Sequence, residues 1–223
     1  MLQRYADRRE AGRVLAEELL RARVREALVL ALPRGGVPVG YEVAEALDAP
    51  LDLMLVRKLG VPGREELAMG AIASGGVSVV NEDVVRALGV PSEEIERVRA
   101  AEREELHRRE RAYRGDRPPP AVRGRRVVIV DDGLATGASL RAGIAVLRVS
   151  GAAEVIAAVP VGPPDAGQGF AGSVDAFVCP LQPRNFFGVG QFYDDFEQTT
   201  DEEVRALLMD AWSRRPPQER AAA

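Results

Sequence analysis

Apolar and polar positions along the chain change period block by block. Over residues 5–21, Ala11, Val14, Leu15, Ala16 and Leu19 recur at helical spacing between arginines and glutamates, which predicts an amphipathic helix. Residues 27–32 form an unbroken apolar run of strand length that stops at Pro33-Arg34-Gly35-Gly36, and 37–47 reads as a helix. A second apolar strand, 51–56, ends in Arg57-Lys58. Residues 59–66, rich in Gly, Pro and charge, predict a mobile loop. The runs 68–73 and 77–80, split by Ser74-Gly75-Gly76, predict a hairpin.

Asn81 is placed to cap a short helix, Glu82–Leu88, that ends at Gly89. Ser92, followed by Glu93 and Glu94, predicts the N-cap of a long charged helix reaching about Arg114, and Pro118-Pro119-Pro120 then forms a stiff connector. Further strands are expected at 126–130, 153–159 and 174–178, and a last helix over 201–212 with Thr200 as its cap. Strands alternating with helices imply a parallel, right-handed α/β sheet, in which ligands gather at the strands' carboxyl ends. The reading is one domain over 1–213. It has a small hood around 161–200, to which the N-terminal segment can add, a charged helical insertion at 92–114, and a disordered tail at 214–223.

Composition narrows the class. The chain has 223 residues, of which 46% are hydrophobic, enough for a substantial core. Its apolar runs are strand-sized, which argues against a membrane span, and no secretory signal is legible, so a cytoplasmic location is expected. A formal charge of −4 gives no support to a nucleic-acid partner. Cys179 is alone and, with no histidine partner in view, reads as a structural thiol; His107, inside the charged helix, reads as a solvated residue. Of the 30 basic residues only Lys58 is lysine, which marks a position where a compact ammonium could matter. A homo-oligomer stays open.

The densest chemistry lies in Val127-Val128-Ile129-Val130-Asp131-Asp132-Gly133-Leu134-Ala135-Thr136-Gly137-Ala138-Ser139. Two carboxylates at a strand's end can accept hydrogen bonds from vicinal hydroxyls and stabilise positive charge on a nearby carbon. Residues 135–139 then offer backbone N–H groups and two hydroxyls at a helix N-terminus, a place for a phosphate. Together they suit a ribose 5-phosphate. Arg34-Gly35-Gly36 is a second anion-sized turn, because glycine lets N–H groups approach without a Cβ in the way.

At these residues the chain resembles the type I phosphoribosyltransferases, whose signature for phosphoribosyl diphosphate (PRPP) is a hydrophobic strand, two acidic residues, three variable residues and Thr-Gly-Gly-Thr. Here the last part stands as Thr136-Gly137-Ala138-Ser139. The resemblance implies Mg²⁺-dependent transfer of a 5-phosphoribosyl group from PRPP to a nucleobase-like acceptor, with release of pyrophosphate. It assigns catalysis to Asp131 and Asp132, with Mg²⁺ reaching these carboxylates directly or through water and ribose hydroxyls. The 5-phosphate falls to residues 135–139, and the diphosphate to Arg34, Gly35, Gly36, Arg57 and Lys58, with the Pro33–Arg34 peptide cis. Xanthine-guanine phosphoribosyltransferases have a similar Arg-Gly-Gly loop. The aromatic stretch 183–196 distantly resembles the hood of 6-oxopurine enzymes, making Phe186 and Phe187 candidates for base stacking. Those enzymes commonly carry an aspartate where this chain has Ala135, which argues against hypoxanthine or guanine salvage by that route. No general base is evident; Glu65, Glu66, Asp194 and Asp195 are candidates. A regulator that keeps the fold and senses PRPP or nucleotides without turnover is the alternative reading.

Overall fold

The computed structural model describes residues 4–215. In chain order the helices are α1 (Arg8–Arg21), α2 (Gly36–Leu47), α3 (Glu82–Leu88), α4 (Ser92–Arg114), α5 (Ala138–Val149) and α6 (Asp201–Arg214). The strands are β1 (Ala27–Ala31), β2 (Leu51–Leu53), β3 (Val56–Val61), β4 (Arg64–Ala73), β5 (Ser78–Val80), β6 (Arg126–Val130), β7 (Glu154–Ala158) and β8 (Ala176–Val178). Five of them make a parallel sheet in the order β2-β1-β6-β7-β8, flanked by helices as the alternating pattern predicts.

Both faces of this sheet are buried, so its strands are apolar at nearly every position and still sort by period two. Val29, Ala31, Val128, Val130, Ile156 and Ala158 pack with α1, α2 and α6, whereas Leu28, Leu30, Val127, Ile129, Val155 and Ala157 pack with α5. The chain leaves β1 through α2 on one face and β6 through α5 on the other. The two neighbouring strands β1 and β6 therefore flank the point where the strand order reverses, and their carboxyl ends open one crevice.

Several expectations are corrected. The apolar run 51–56 is not one strand: β2 stops at Leu53 and the chain crosses to a second, antiparallel sheet, β3-β4-β5. The stretch 59–66 is not a loop but mostly strand, because Leu59, Val61 and Met69 bury against Leu106 of α4 and Gly63, at φ +74°, makes the turn. Ser92 is the first residue of α4 rather than its cap; Pro91 holds that position, with no side-chain bond to the helix. At the N-terminus the helix starts only at Arg8, capped by the Asp7 side chain. Tyr5 instead bridges to Tyr193.

The segment 161–200 is divided. Its β8 joins the main sheet, while Phe192 and Tyr193 pack with Tyr5 and Val161 above it. At the other end, α6 continues through Arg214, which pairs with Asp210 and Glu45, and Arg215 pairs with Asp48, so the expected disordered tail does not begin at 214. The remainder of that tail lies outside the described residues.

Candidate active site

The site is built where β1 and β6 end side by side. Ala31 is in register with Val130, and the Leu32 N–H donates to the Val130 carbonyl at 2.8 Å, so the turn after β1 lies directly on the acidic pair after β6. That contact explains the two glycines. A Cβ on Gly35 would come within 2.0 Å of Asp132 Oδ2, and one on Gly36 within 3.0 Å of Asp131 Cα. The Pro33–Arg34 peptide between them and the strand is cis.

The acidic pair is half-buried and unevenly partnered. Asp131 Oδ1 accepts the Asp132 N–H at 2.9 Å, and no cation is bonded to Asp131 among the described residues. Burial, and then the neighbouring Asp132 charge, push the Asp131 carboxyl well above the usual carboxylate range. Asp132 is also raised by burial, but the Arg8 guanidinium opposes the shift: Arg8 Nε lies 2.9 Å from Asp132 Oδ2. Arg8 in turn donates to the Glu197 carbonyl at 2.7 Å and lies 4.0 Å above the Phe196 ring. Tyr193 completes this corner by donating its hydroxyl to the Asp132 carbonyl at 2.6 Å.

Beyond the pair, the chain makes a tight turn into α5. Gly133 has no room for a side chain, since a Cβ would meet Val189 at 2.5 Å, and Leu134 is pinned by its N–H to the Val161 carbonyl at 2.8 Å. Gly137 takes the left-handed conformation, φ +69°, that ends the turn and starts the helix. Ala135, Thr136 and Ser139 reach the surface there. The N–H groups of Ala135, Thr136, Gly137 and Ser139 have no intramolecular partner among the described residues, while Ala138 N–H makes only a 3.4 Å contact with Thr136 Oγ1. Free N–H groups at a helix N-terminus suit an anion.

Two adjoining cavities connect these elements. A narrow one of about 80 Å³ is lined by Pro33, Arg57, Arg109, Asp131 and Ser139, among others. Beside it, one of about 310 Å³ is lined by Pro33, Arg34, Arg109, Tyr113 and Asp201, among others. Arg57 is held at 2.6 Å by Glu102 of α4, and Arg34 lies 3.7 Å from Asp201.

The sequence-predicted residues divide accordingly. Asp131, Arg57 and Ser139 of the turn 135–139 line one cavity, Arg34 lines the adjoining one, and Gly35 and Gly36 pack on Asp132 and Asp131. Lys58 does not join them: it alternates with Arg57 to the opposite face of β3, is exposed, and lines neither cavity. Phe186 stacks on Phe192 with ring centroids 5.7 Å apart, a packing role, whereas Phe187 is 89% exposed. Arg8, Tyr193, Glu102 and Arg109 went unnoticed in the sequence because each is one more arginine, glutamate or tyrosine in an ordinary helical or aromatic stretch. Only their tertiary contacts single them out.

A bound Mg²⁺ would find no ready protein cage here, since the described residues hold no cluster of three or more candidate ligands. The donor set fits a different arrangement, one or two carboxylates with the rest supplied by substrate oxygens and water, which is how Mg²⁺ commonly binds beside phosphates. No helix among the described residues is long and apolar enough to cross a membrane.

Known proteins share this framework. The family model of the phosphoribosyl transferase domain matches residues 4–171. The Mycobacterium tuberculosis protein named "Putative phosphoribosyl transferase Rv0571c" is 48% identical over 204 residues, 92% of this chain but 46% of its own length. The same figures hold for MT0597 of strain CDC 1551 / Oshkosh, so the chain spans about half the length of the curated relatives it matches. The crystal structure of TT1426 from Thermus thermophilus is 42% identical and superposes with a TM-score of 0.84, the match covering 93% of this chain and 99% of that one. With a family model covering most of its length and a similar solved structure over nearly all of it, the chain belongs to the phosphoribosyl transferase domain family.

Proposed function

We propose that this protein transfers the 5-phosphoribosyl group of PRPP to a nitrogenous acceptor and releases pyrophosphate, with Mg²⁺ as cofactor. The observation that carries the proposal is the direct packing of the Arg34-Gly35-Gly36 turn on Asp131 and Asp132, beside a helix N-terminus with free N–H groups. One crevice then offers separate places for a diphosphate, a ribose diol and a phosphate.

In the reaction the bond from C1 to the diphosphate oxygen breaks, its electron pair leaving with pyrophosphate, and the acceptor nitrogen forms the new bond to C1. Asp131 and Asp132 accept hydrogen bonds from the ribose hydroxyls and stabilise the positive charge that develops on the sugar. The turn 135–139 anchors the 5-phosphate. Gly35 and Gly36 let the turn pack directly on the acidic pair, the Gly35 N–H, which has no partner among the described residues, faces the diphosphate, and Arg34 and Arg57 supply charge once it competes with Asp201 and Glu102. Mg²⁺, held by Asp131 and Asp132 together with substrate oxygens, would neutralise charge on the leaving diphosphate. Of the two aromatic candidates for stacking a base, Phe187 has its ring free. Ala135 leaves no carboxylate at the position used by 6-oxopurine enzymes, which points to another acceptor.

The test is pyrophosphate release from PRPP and Mg²⁺ with a panel of bases. Turnover is expected with at least one acceptor, and Asp131→Asn with Asp132→Asn should reduce it by about a hundredfold or more. Tight PRPP binding without turnover on any acceptor would instead identify a sensor. Absence of PRPP binding would overturn both readings.

A further inference from the structure

We infer that Arg109, on α4, is an additional cation of the diphosphate site, reaching it from a helix outside the two strand-end turns. The inference rests on the PRPP reading above. Of the charged residues that line the two cavities, Arg109 is the one common to both, joining Asp131, Arg57 and Ser139 on one side to Arg34 on the other.

The placement of Arg109 follows from how α4 is anchored. Leu106, three residues earlier, is fully buried against β3 and β4, and Tyr113, four residues later, donates its hydroxyl to Asp201 at 2.7 Å. Residues at these intervals share one face of a helix, so the anchored face of α4 carries Arg109 between its two fixed points. Arg114 extends the anchorage by reaching buried Asp52 at 2.7 Å.

Its bonding leaves the guanidinium available. Arg109 uses only Nε, which donates to Glu105 Oε1 at 2.8 Å, and its two terminal nitrogens have no partner among the described residues. Glu105 is meanwhile engaged by Arg108 through two bonds of 2.7 and 2.9 Å. Arg57 is more closely committed, to Glu102 at 2.6 Å. A planar fork with both terminal groups free beside two other arginines is suited to two oxygens of one anion. The ligand chemistry is a diphosphate, supplied either by PRPP or by free pyrophosphate.

Calorimetry on the full chain with Mg²⁺, titrating PRPP, pyrophosphate and ribose 5-phosphate separately, tests this. Arg109→Ala should weaken PRPP and pyrophosphate by about tenfold and leave ribose 5-phosphate unchanged, with partial recovery in Arg109→Lys. Glu105→Gln, which removes the surface ion pair but keeps Arg109, should bind diphosphates as well as or better than the wild type. Unchanged diphosphate affinity in Arg109→Ala would overturn the inference alone. Equal weakening in Glu105→Gln would reduce Arg109 to a helix-surface pair, and weakening of ribose 5-phosphate, or of PRPP without pyrophosphate, would remove it from the diphosphate site. A wild type that binds pyrophosphate but not PRPP would overturn the functional reading, and the pyrophosphate arm would still decide Arg109.

Discussion

At the residue scale the acidic pair is a conflict between stability and chemistry. Asp131 is half-buried beside a second carboxylate, and among the described residues its side chain bonds only to a backbone N–H. Its folded-state pKa is raised above the ordinary 3.8, first by burial and then by Asp132, so the native state binds this proton more tightly than the unfolded chain does. Below that ordinary value both states are protonated and nothing is lost. As pH rises from there toward the raised folded value, the unfolded chain releases this proton while the native state holds it, so stability falls, and the loss is complete above it. Asp131→Asn keeps an oxygen for the Asp132 N–H and removes the charge. It should therefore raise the Tm of the ligand-free protein at neutral pH, show little effect in acid near the ordinary carboxylate value, and lower turnover; thermal melts across that range check the sign. The pair itself was legible in the sequence because a strand, two carboxylates and a small-residue turn are contiguous. Arg8, which supplies the counter-charge to Asp132, was not, because its partner lies 124 positions away.

At the element scale, α4 is a charged helix fixed by a few buried points. The Arg114 side chain is 1% exposed and donates to Asp52, itself fully buried, while Asp52 Oδ2 has no partner among the described residues. Burial raises the Asp52 pKa and Arg114 is the largest opposing influence. Arg114→Ala leaves a buried carboxylate without its cation and should cost about 3–5 kcal/mol in urea unfolding at neutral pH. Because the abandoned Asp52 then favours its neutral form, lowering the pH should recover part of that loss. Asp52→Leu with Arg114→Met should restore stability by replacing the pair with apolar volume, and a double variant as weak as Arg114→Ala would refute this account. The periodicity located α4 and β1, β6 and β7 closely, since local spacing determines them. It misjudged 59–66, where Gly and Pro read as a loop; the strand there depends on Leu59 and Val61 finding Leu106, a contact that local composition does not encode.

At the scale of the whole molecule, the segment before α1 and the stretch 192–197 join beside the acidic pair. The Tyr5 N–H donates to the Phe192 carbonyl at 2.9 Å, and the Asp194 and Asp195 N–H groups donate to the Tyr5 and Ala6 carbonyls at 2.8 and 2.9 Å. Tyr5 also reaches the Pro160 carbonyl with its hydroxyl at 2.9 Å. Arg8 ties this clasp to the acidic pair through Asp132 on one side and Glu197 on the other. The clasp is a small unit held by backbone bonds and a few side-chain contacts, so its opening free energy should lie below that of the parallel sheet. Hydrogen exchange should accordingly find the amides of Tyr5, Asp194 and Asp195 exchanging faster than those of β1 and β6. Arg8→Ala should accelerate the clasp amides further while leaving the strands at their original rates, and lower PRPP-dependent turnover through the unpaired Asp132. Equal exchange in the variant and the wild type at Tyr5, Asp194 and Asp195 would mean that the clasp closes independently of the acidic pair, and that Arg8 serves Asp132 alone.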